Sequence, residues 1–256
     1  MFLRVVVFYL ATMAFSGILN ALQSAVGPDP DLIQLVQFAP ALGVGVMFLA
    51  FRRTTRVAVR FKPAKVAAGR SALVVGIVVA AMLVSVLVHV VAGRSWRADS
   101  LPFPVWALVI TMIVGAAGEE LGWRAYLQPY LQTRFPVLGS SLIVGVLWGF
   151  WHIGGFANGL AFMGLFVVMA TALSVVMGAV LQGARRTNLV VATAAHAAVN
   201  LALILLFDEE GGDLFPIAVL AAVWTVTAVV VGWAGSVQVR RSVEVEDRAA
   251  GPVRLG

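Results

Sequence analysis

Long apolar runs, each close to the length of a membrane-crossing helix, alternate with short polar connections along almost the whole chain. Eight can be drawn, at roughly 2–22, 32–51, 71–92, 104–122, 137–153, 161–182, 188–206 and 215–235. The hydrocarbon core of a bilayer takes about 20 helical residues to cross. It offers no partner to unpaired backbone groups, so such runs fold as helices. The pattern therefore predicts an all-α, polytopic integral membrane protein of about eight transmembrane helices. The fourth and fifth runs are the least uniform, because polar residues interrupt them.

The connections add an orientation. Between the second and third runs lie Arg52, Arg53, Arg56, Arg60, Lys62, Lys65 and Arg70, with no acidic residue among them. Arg134 follows the fourth run, Arg185 and Arg186 follow the sixth, and Arg240 and Arg241 follow the last. The alternate connections carry Asp29 and Asp31, then Asp99 with Arg94 and Arg97, then Asp208, Glu209, Glu210 and Asp213. Basic connections stay on the cytoplasmic side, so both termini are expected there, which requires an even number of crossings. Arg4 ahead of the first run has the look of a signal peptide. The run is long for one, however, and no small-x-small cleavage site follows, so it reads as a retained helix. The chain is thus expected to form one transmembrane domain, 1–235, followed by a cytoplasmic tail, 236–256, whose mixture of charge, Gly and Pro predicts poor order.

Composition narrows the class further. Of 256 residues, 61% are hydrophobic and 12% charged, with a mean hydropathy of +0.97; soluble domains carry about 25% charged residues. The absence of cysteine excludes disulfides, thiolate metal sites and a cysteine nucleophile. The net charge of +6 sits in the short connections, facing lipid headgroups, rather than on one stripe. Nucleic acid is therefore not an expected partner; the bilayer is.

Against this apolar background a few polar groups stand out. Gly115-Ala-Ala-Gly-Glu-Glu-Leu-Gly-Trp-Arg-Ala-Tyr-Leu-Gln-Pro-Tyr130 sets two carboxylates and an arginine at the end of the fourth run. An ionisable side chain in mid-bilayer costs about 2.5–3.5 kcal/mol or more, and so marks a functional site by default. On a helix, Glu120 and Arg124 are four apart and form an ion pair; Glu119 lies about 100° round and is left to face something else. Gly115, Gly118 and Gly122 let a neighbouring helix approach closely, and Pro129 predicts a bend or stop. His152 ends the fifth run just before Gly154 and Gly155, and His196 and Asn200 share one face of the seventh. His89, in the third run, has no evident polar companion and reads as a pore-lining or interface histidine.

Each of these groups alone has an ordinary structural reading, as a helix staple or as interhelical hydrogen bonding worth about 0.6 kcal/mol. Together they form a set suited to hydrolysis. A carboxylate and an imidazole can take a proton from water, and a second imidazole and an amide can hold an oxyanion. The same Glu and His types also ligate zinc. No His-Glu-x-x-His helix and no Gly-x-Ser-x-Gly elbow is present.

Glu119-Glu120-x-x-x-Arg124, Trp148-x-x-x-His152 and His196-x-x-x-Asn200, with the flanking Gly-Trp-Arg-Ala-Tyr-Leu-Gln-Pro, resemble the three ordered motifs of the CPBP family. That family comprises the type II CAAX prenyl endopeptidases and their bacterial relatives, also called Abi proteins. The resemblance covers roughly residues 105–205, within a protease core at about 104–206. It implies an intramembrane endopeptidase of about eight helices acting on a peptide or membrane-protein substrate, with Glu119 and His152 activating water. His196 and Asn200 would form the oxyanion hole, with Glu120 and Arg124 in support. The second motif commonly begins with Phe, where this chain has Trp148. The family is described both as metal-dependent and as metal-free, so the cofactor is either a divalent metal such as zinc, held by Glu119, His152 and His196, or none. Two other classes remain: a non-proteolytic member of the same fold, serving in bacteriocin immunity or as a scaffold, and an ion transporter using the intramembrane Glu and His.

Overall fold

The computed structural model describes residues 1–57, 59, 64–96, 101, 103–181, 188–207 and 213–250, those after 234 by their backbone. All regular structure among the described residues is helical. The elements are α1 (Phe2–Val26), a 3-10 turn (Leu35–Phe38) leading into α2 (Ala39–Ala50), α3 (Ala64–Val91) and α4 (Val105–Gly122). A π turn (Trp123–Leu127) then joins α4 to the short α5 (Gln128–Leu131). After these come α6 (Val137–Trp151), a 3-10 segment (Ile153–Asn158), α7 (Leu160–Leu181), α8 (Asn188–Leu206) and α9 (Leu214–Ala250).

Every apolar run of the sequence coincides with a helix, so the all-α membrane class holds. The crossings are less uniform than expected. Six helices are long and apolar enough to cross a bilayer, whereas Leu35–Ala50 and Val137–Trp151 are shorter. At 1.5 Å per residue those two reach only about 22–24 Å, against a hydrocarbon core of about 30 Å. Eight full crossings therefore do not follow from helix length.

A second difference concerns α3, which begins seven residues before the expected start and takes in Lys65 and Arg70. Hydropathy assigned these cations to a loop because it counts charge and ignores reach. Arg70 uses its length to donate from Nη1 to the Val180 carbonyl, 2.6 Å away, near the end of α7. The last carbonyls of a helix have no partner within the helix, and a cation there also meets the negative end of its dipole.

Helix α4 packs against both α2 and α8, α6 against α7, α7 against α9, and α3 against α8 and α9, with α1 covering α2. Small residues permit the closest of these approaches. A Cβ added at Gly118 would lie 2.9 Å from the Gln37 carbonyl oxygen and 2.8 Å from the Phe38 ring. One at Gly145 would lie 2.6 Å from the Thr171 Cα, and one at Gly149 3.0 Å from the Val167 Cα, so α6 and α7 meet almost backbone to backbone. Aromatic rings fill the wider spaces: Phe8 of α1 meets the Trp123 edge at 5.5 Å, and Trp151 donates its indole N–H to Ser16 Oγ at 2.7 Å.

His89 turns out to be an interface residue and does not line a pore. It is buried, with Phe207 at 5.1 Å and Phe215 at 5.0 Å between ring centroids, and its Nδ1 is bonded to the Ser85 carbonyl at 2.8 Å.

Candidate functional site

The site is assembled on α4, α6 and α8. Glu119 and Glu120 fall in the middle of the membrane-length segment Val105–Leu131. They stand about 18 Å along the helix axis from Leu131, deeper than the expected position near the cytoplasmic end. Beyond them the helix widens into the π turn, closed by the Gln128 N–H on the Trp123 carbonyl. Single π turns occur often at functional sites. Here the turn precedes Pro129, which has no N–H to donate, and the helix continues to Leu131 before stopping. Trp123 through Leu127 are all buried, with Arg124 completely so.

Glu120 and Arg124 pair as the i,i+4 spacing predicts. Arg124 Nη1 donates to Glu120 Oε1 at 3.1 Å, with both side chains at 0% exposure. The same Oε1 also meets His196 Nδ1 at 2.8 Å. Glu120 therefore ties the first motif to the third as well as closing its own helix face. The Arg124 guanidinium in turn lies 4.4 Å from the centre of the Trp148 ring, a cation–π contact favoured for arginine on tryptophan.

Glu119 faces a different set. Its Oε2 accepts the Trp148 indole N–H at 2.9 Å. Its Oε1 makes no hydrogen bond among the described residues and stands 3.9 Å from His196 Nε2. Glu119 and His196 are each about 2% exposed, so they meet in close packing.

His152 follows the last residue of α6, with φ −78° and ψ 56°, outside helical geometry. Its backbone N–H turns to the Gly149 carbonyl at 3.2 Å, which leaves the Trp148 carbonyl to the His152 ring, at 2.9 Å from Nδ1. A carbonyl only accepts, so Nδ1 carries the proton and Nε2 presents its lone pair. His152 is half-buried, in T-shaped contact with Trp151 at 4.8 Å and against Phe166 at 4.9 Å. It lies within electrostatic reach of both Glu119 and His196. Asn200, one helical turn beyond His196, is also half-buried. His152 and Asn200 are thus the more accessible of these residues, and Glu119, Glu120 and His196 the closed ones.

The alternative metal set of Glu119, His152 and His196 is not gathered in this arrangement. Among the described residues, no three His, Asp or Glu side chains are grouped to hold an ion. Glu119 Oε2 is engaged by Trp148, His196 Nδ1 by Glu120 and His152 Nδ1 by a carbonyl, which leaves Glu119 Oε1 and the two Nε2 atoms as the ones that could turn to an ion. Two features lay outside the sequence reading: the Glu120–His196 bond and the Trp148–Glu119 bond. The only sign of the second was the indole standing where the family motif commonly has Phe.

Comparison with known proteins agrees with the motifs. Residues 101–202 match the family model described as type II CAAX prenyl endopeptidase Rce1-like. Curated relatives include lysostaphin resistance protein A of Staphylococcus haemolyticus, 26% identical over 240 residues, 89% of this chain and 64% of that protein. The proteins of the same name from Staphylococcus epidermidis and Staphylococcus aureus are 26% and 25% identical, across 60% and 55% of their lengths. The chain thus spans under two thirds of the relatives it matches.

Proposed function

We propose that this chain, a member of the type II CAAX prenyl endopeptidase-like family through its segment 101–202, is an intramembrane endopeptidase working without a metal. The observation that carries the reading is the joining of three separate motifs in one buried network. Glu120 bonds both Arg124 and His196, Trp148 bonds Glu119, and the Trp148 carbonyl holds His152. Interhelical staples require pairs; they do not require a carboxylate oxygen left free beside an imidazole.

In this scheme Glu119 Oε1 and His152 Nε2 are the two acceptor atoms available to water. One takes a proton as the water oxygen attacks the carbonyl carbon of the scissile peptide bond. The carbonyl oxygen gains the negative charge and is met by the Asn200 side-chain N–H and by His196. With Nδ1–H on Glu120, His196 donates from Nε2 only when it carries both protons. That cation, with Arg124, balances the two carboxylates and makes the four buried groups neutral in sum. Collapse of the tetrahedral intermediate breaks the C–N bond, and the proton returns from the base to the departing amine. The substrate is a peptide or membrane protein reaching the site from the His152 and Asn200 edge.

The test is cleavage of a peptide and membrane-protein library in proteoliposomes by the wild type, Glu119→Gln and His152→Ala. The reading expects product from the wild type alone; equal product from all three rejects it. A second reading draws on the name of the relatives and on the closed packing around Glu119: a factor of this fold conferring resistance to lysostaphin, with the network serving as structure. It predicts that Glu119→Gln supports resistance as well as the wild type does.

A further inference from the structure

We propose that Trp148 is a positioning residue whose indole N–H sets the orientation of the Glu119 carboxylate, a role the Phe common at this point of the motif cannot fill. The proposal deepens the proteolytic reading and rests on it for its kinetic consequence, while the bond itself is testable without any activity.

Trp148 is 4% exposed and touches Glu119, Arg124, His152 and His196. Its indole N–H meets Glu119 Oε2 at 2.9 Å, its ring lies 4.4 Å from the Arg124 guanidinium, and its ring centre is 5.0 Å from that of His196, at 74° between planes. Its carbonyl holds His152. The ring is therefore fixed on several sides, and the direction of its N–H is fixed with it. Glu119 has no comparable restraint of its own. The terminal torsion of a glutamate is broad and roughly two-fold, and Oε1 makes no hydrogen bond among the described residues. The Trp148 N–H is the one hydrogen bond that distinguishes the two oxygens, holding Oε2 back so that Oε1 faces His196 Nε2 at 3.9 Å. Arg124 does not take this part: its Nη1 donates to Glu120, and its Nε and Nη2 reach no acceptor among the described residues.

Trp148→Phe separates these roles. A phenyl ring retains a face for Arg124 and much of the packing, and the backbone carbonyl still holds His152. Only the N–H is lost outright. Glu119 then has two equivalent orientations and no bonded partner. Loss of one hydrogen bond to a charged group corresponds to about 10- to 100-fold in rate when it acts in the transition state.

Two measurements test this. In micelles, protein labelled with 15N-tryptophan gives indole signals for its seven tryptophans, and the one absent from Trp148→Phe is Trp148. Glu119→Gln should move that signal and leave the other six in place; an unmoved Trp148 signal overturns the proposal. Should Trp148→Phe not fold, Glu119→Gln alone still reports the bond, as the indole signal that shifts. In the cleavage assay, Trp148→Phe should lower kcat by about 10- to 100-fold with KM within about twofold. Adding it to Glu119→Gln should cost nothing more. Wild-type kcat in Trp148→Phe, or a further loss in the double variant, overturns positioning. A shifted indole signal in a protein that cleaves nothing leaves the bond standing and removes the proteolytic reading.

Discussion

The two adjacent glutamates offer the sharpest perturbation, because their surroundings predict opposite consequences. Glu120 Oε1 accepts from Arg124 at 3.1 Å and meets His196 at 2.8 Å, with the side chain completely buried. Removing one partner of a buried ion pair costs about 3–5 kcal/mol, because the other charge is left unpaired. Glu120→Ala should therefore lower the melting temperature in detergent by roughly 6–20 °C, at about 2–4 °C per kcal/mol for a chain of this size. The Glu119 carboxylate has a single hydrogen bond among the described residues, to a neutral indole. In Glu119→Gln an amide oxygen can still accept that N–H, so the expected cost is within about 1 kcal/mol, the worth of one ordinary hydrogen bond.

Activity should divide the other way. Glu119→Gln removes a proton acceptor, a loss of about 10²–10⁴ in kcat, while its melting curve stays near that of the wild type. Glu120→Ala should lose activity together with stability, and Glu120→Gln should restore part of both, since an amide can still bond Arg124 or His196. Thermal melting followed by tryptophan fluorescence, beside initial rates at saturating substrate, measures both axes. Equal melting shifts for Glu119→Ala and Glu120→Ala, or an active Glu119→Gln, would refute the division of labour between the two carboxylates.

Four further outcomes follow from the same geometry. Asn200→Ala should reduce kcat by about 10²–10³ with little change in KM or melting temperature, the signature of a lost oxyanion donor; an equal loss in binding would point to a substrate-anchoring role. Gly145→Ala places a methyl 2.6 Å from the Thr171 Cα, and the forced separation of α6 and α7 should cost about 1–3 kcal/mol in a detergent melt. Arg94 and Asp213 pair at 3.3 Å with both side chains more than half exposed. Asp213→Asn should therefore change stability by no more than about 1 kcal/mol, which makes it a control for the buried pair. Finally, chelator should leave the cleavage rate unchanged, and purified active protein should hold no stoichiometric zinc by elemental analysis; recovery of activity only on adding zinc would restore the metal-bound alternative.

How far the sequence could be read depended on whether a feature lies within one helix or between two. The apolar runs, the i,i+4 pairing of Glu120 with Arg124 and the shared face of His196 and Asn200 follow from helical period alone, and the structure agrees with them. The start of α3 did not, because window hydropathy treats Lys65 and Arg70 as loop residues although the latter spans to the Val180 carbonyl. The number of full crossings did not either, since Val137–Trp151 is largely apolar and stops early. Its early stop has a local cause: after Trp151 the backbone leaves helical geometry at His152 and enters the Ile153–Asn158 turn.

That early stop, together with the identity of one residue four positions before it, decides what the site can be. At that stop the His152 N–H turns to the Gly149 carbonyl, and the Trp148 carbonyl lies 2.9 Å from the imidazole Nδ1, which directs Nε2 away from it. A hydropathy pattern counts the same tryptophan as one more apolar residue. Between helices its N–H is the only hydrogen bond to the Glu119 carboxylate among the described residues, its face lies against Arg124 and its carbonyl sets the His152 tautomer. The expensive buried charges are legible from sequence because each is anomalous where it stands. The residue that organises them is not, because an indole in a membrane helix is unremarkable until its neighbours on other helices are known.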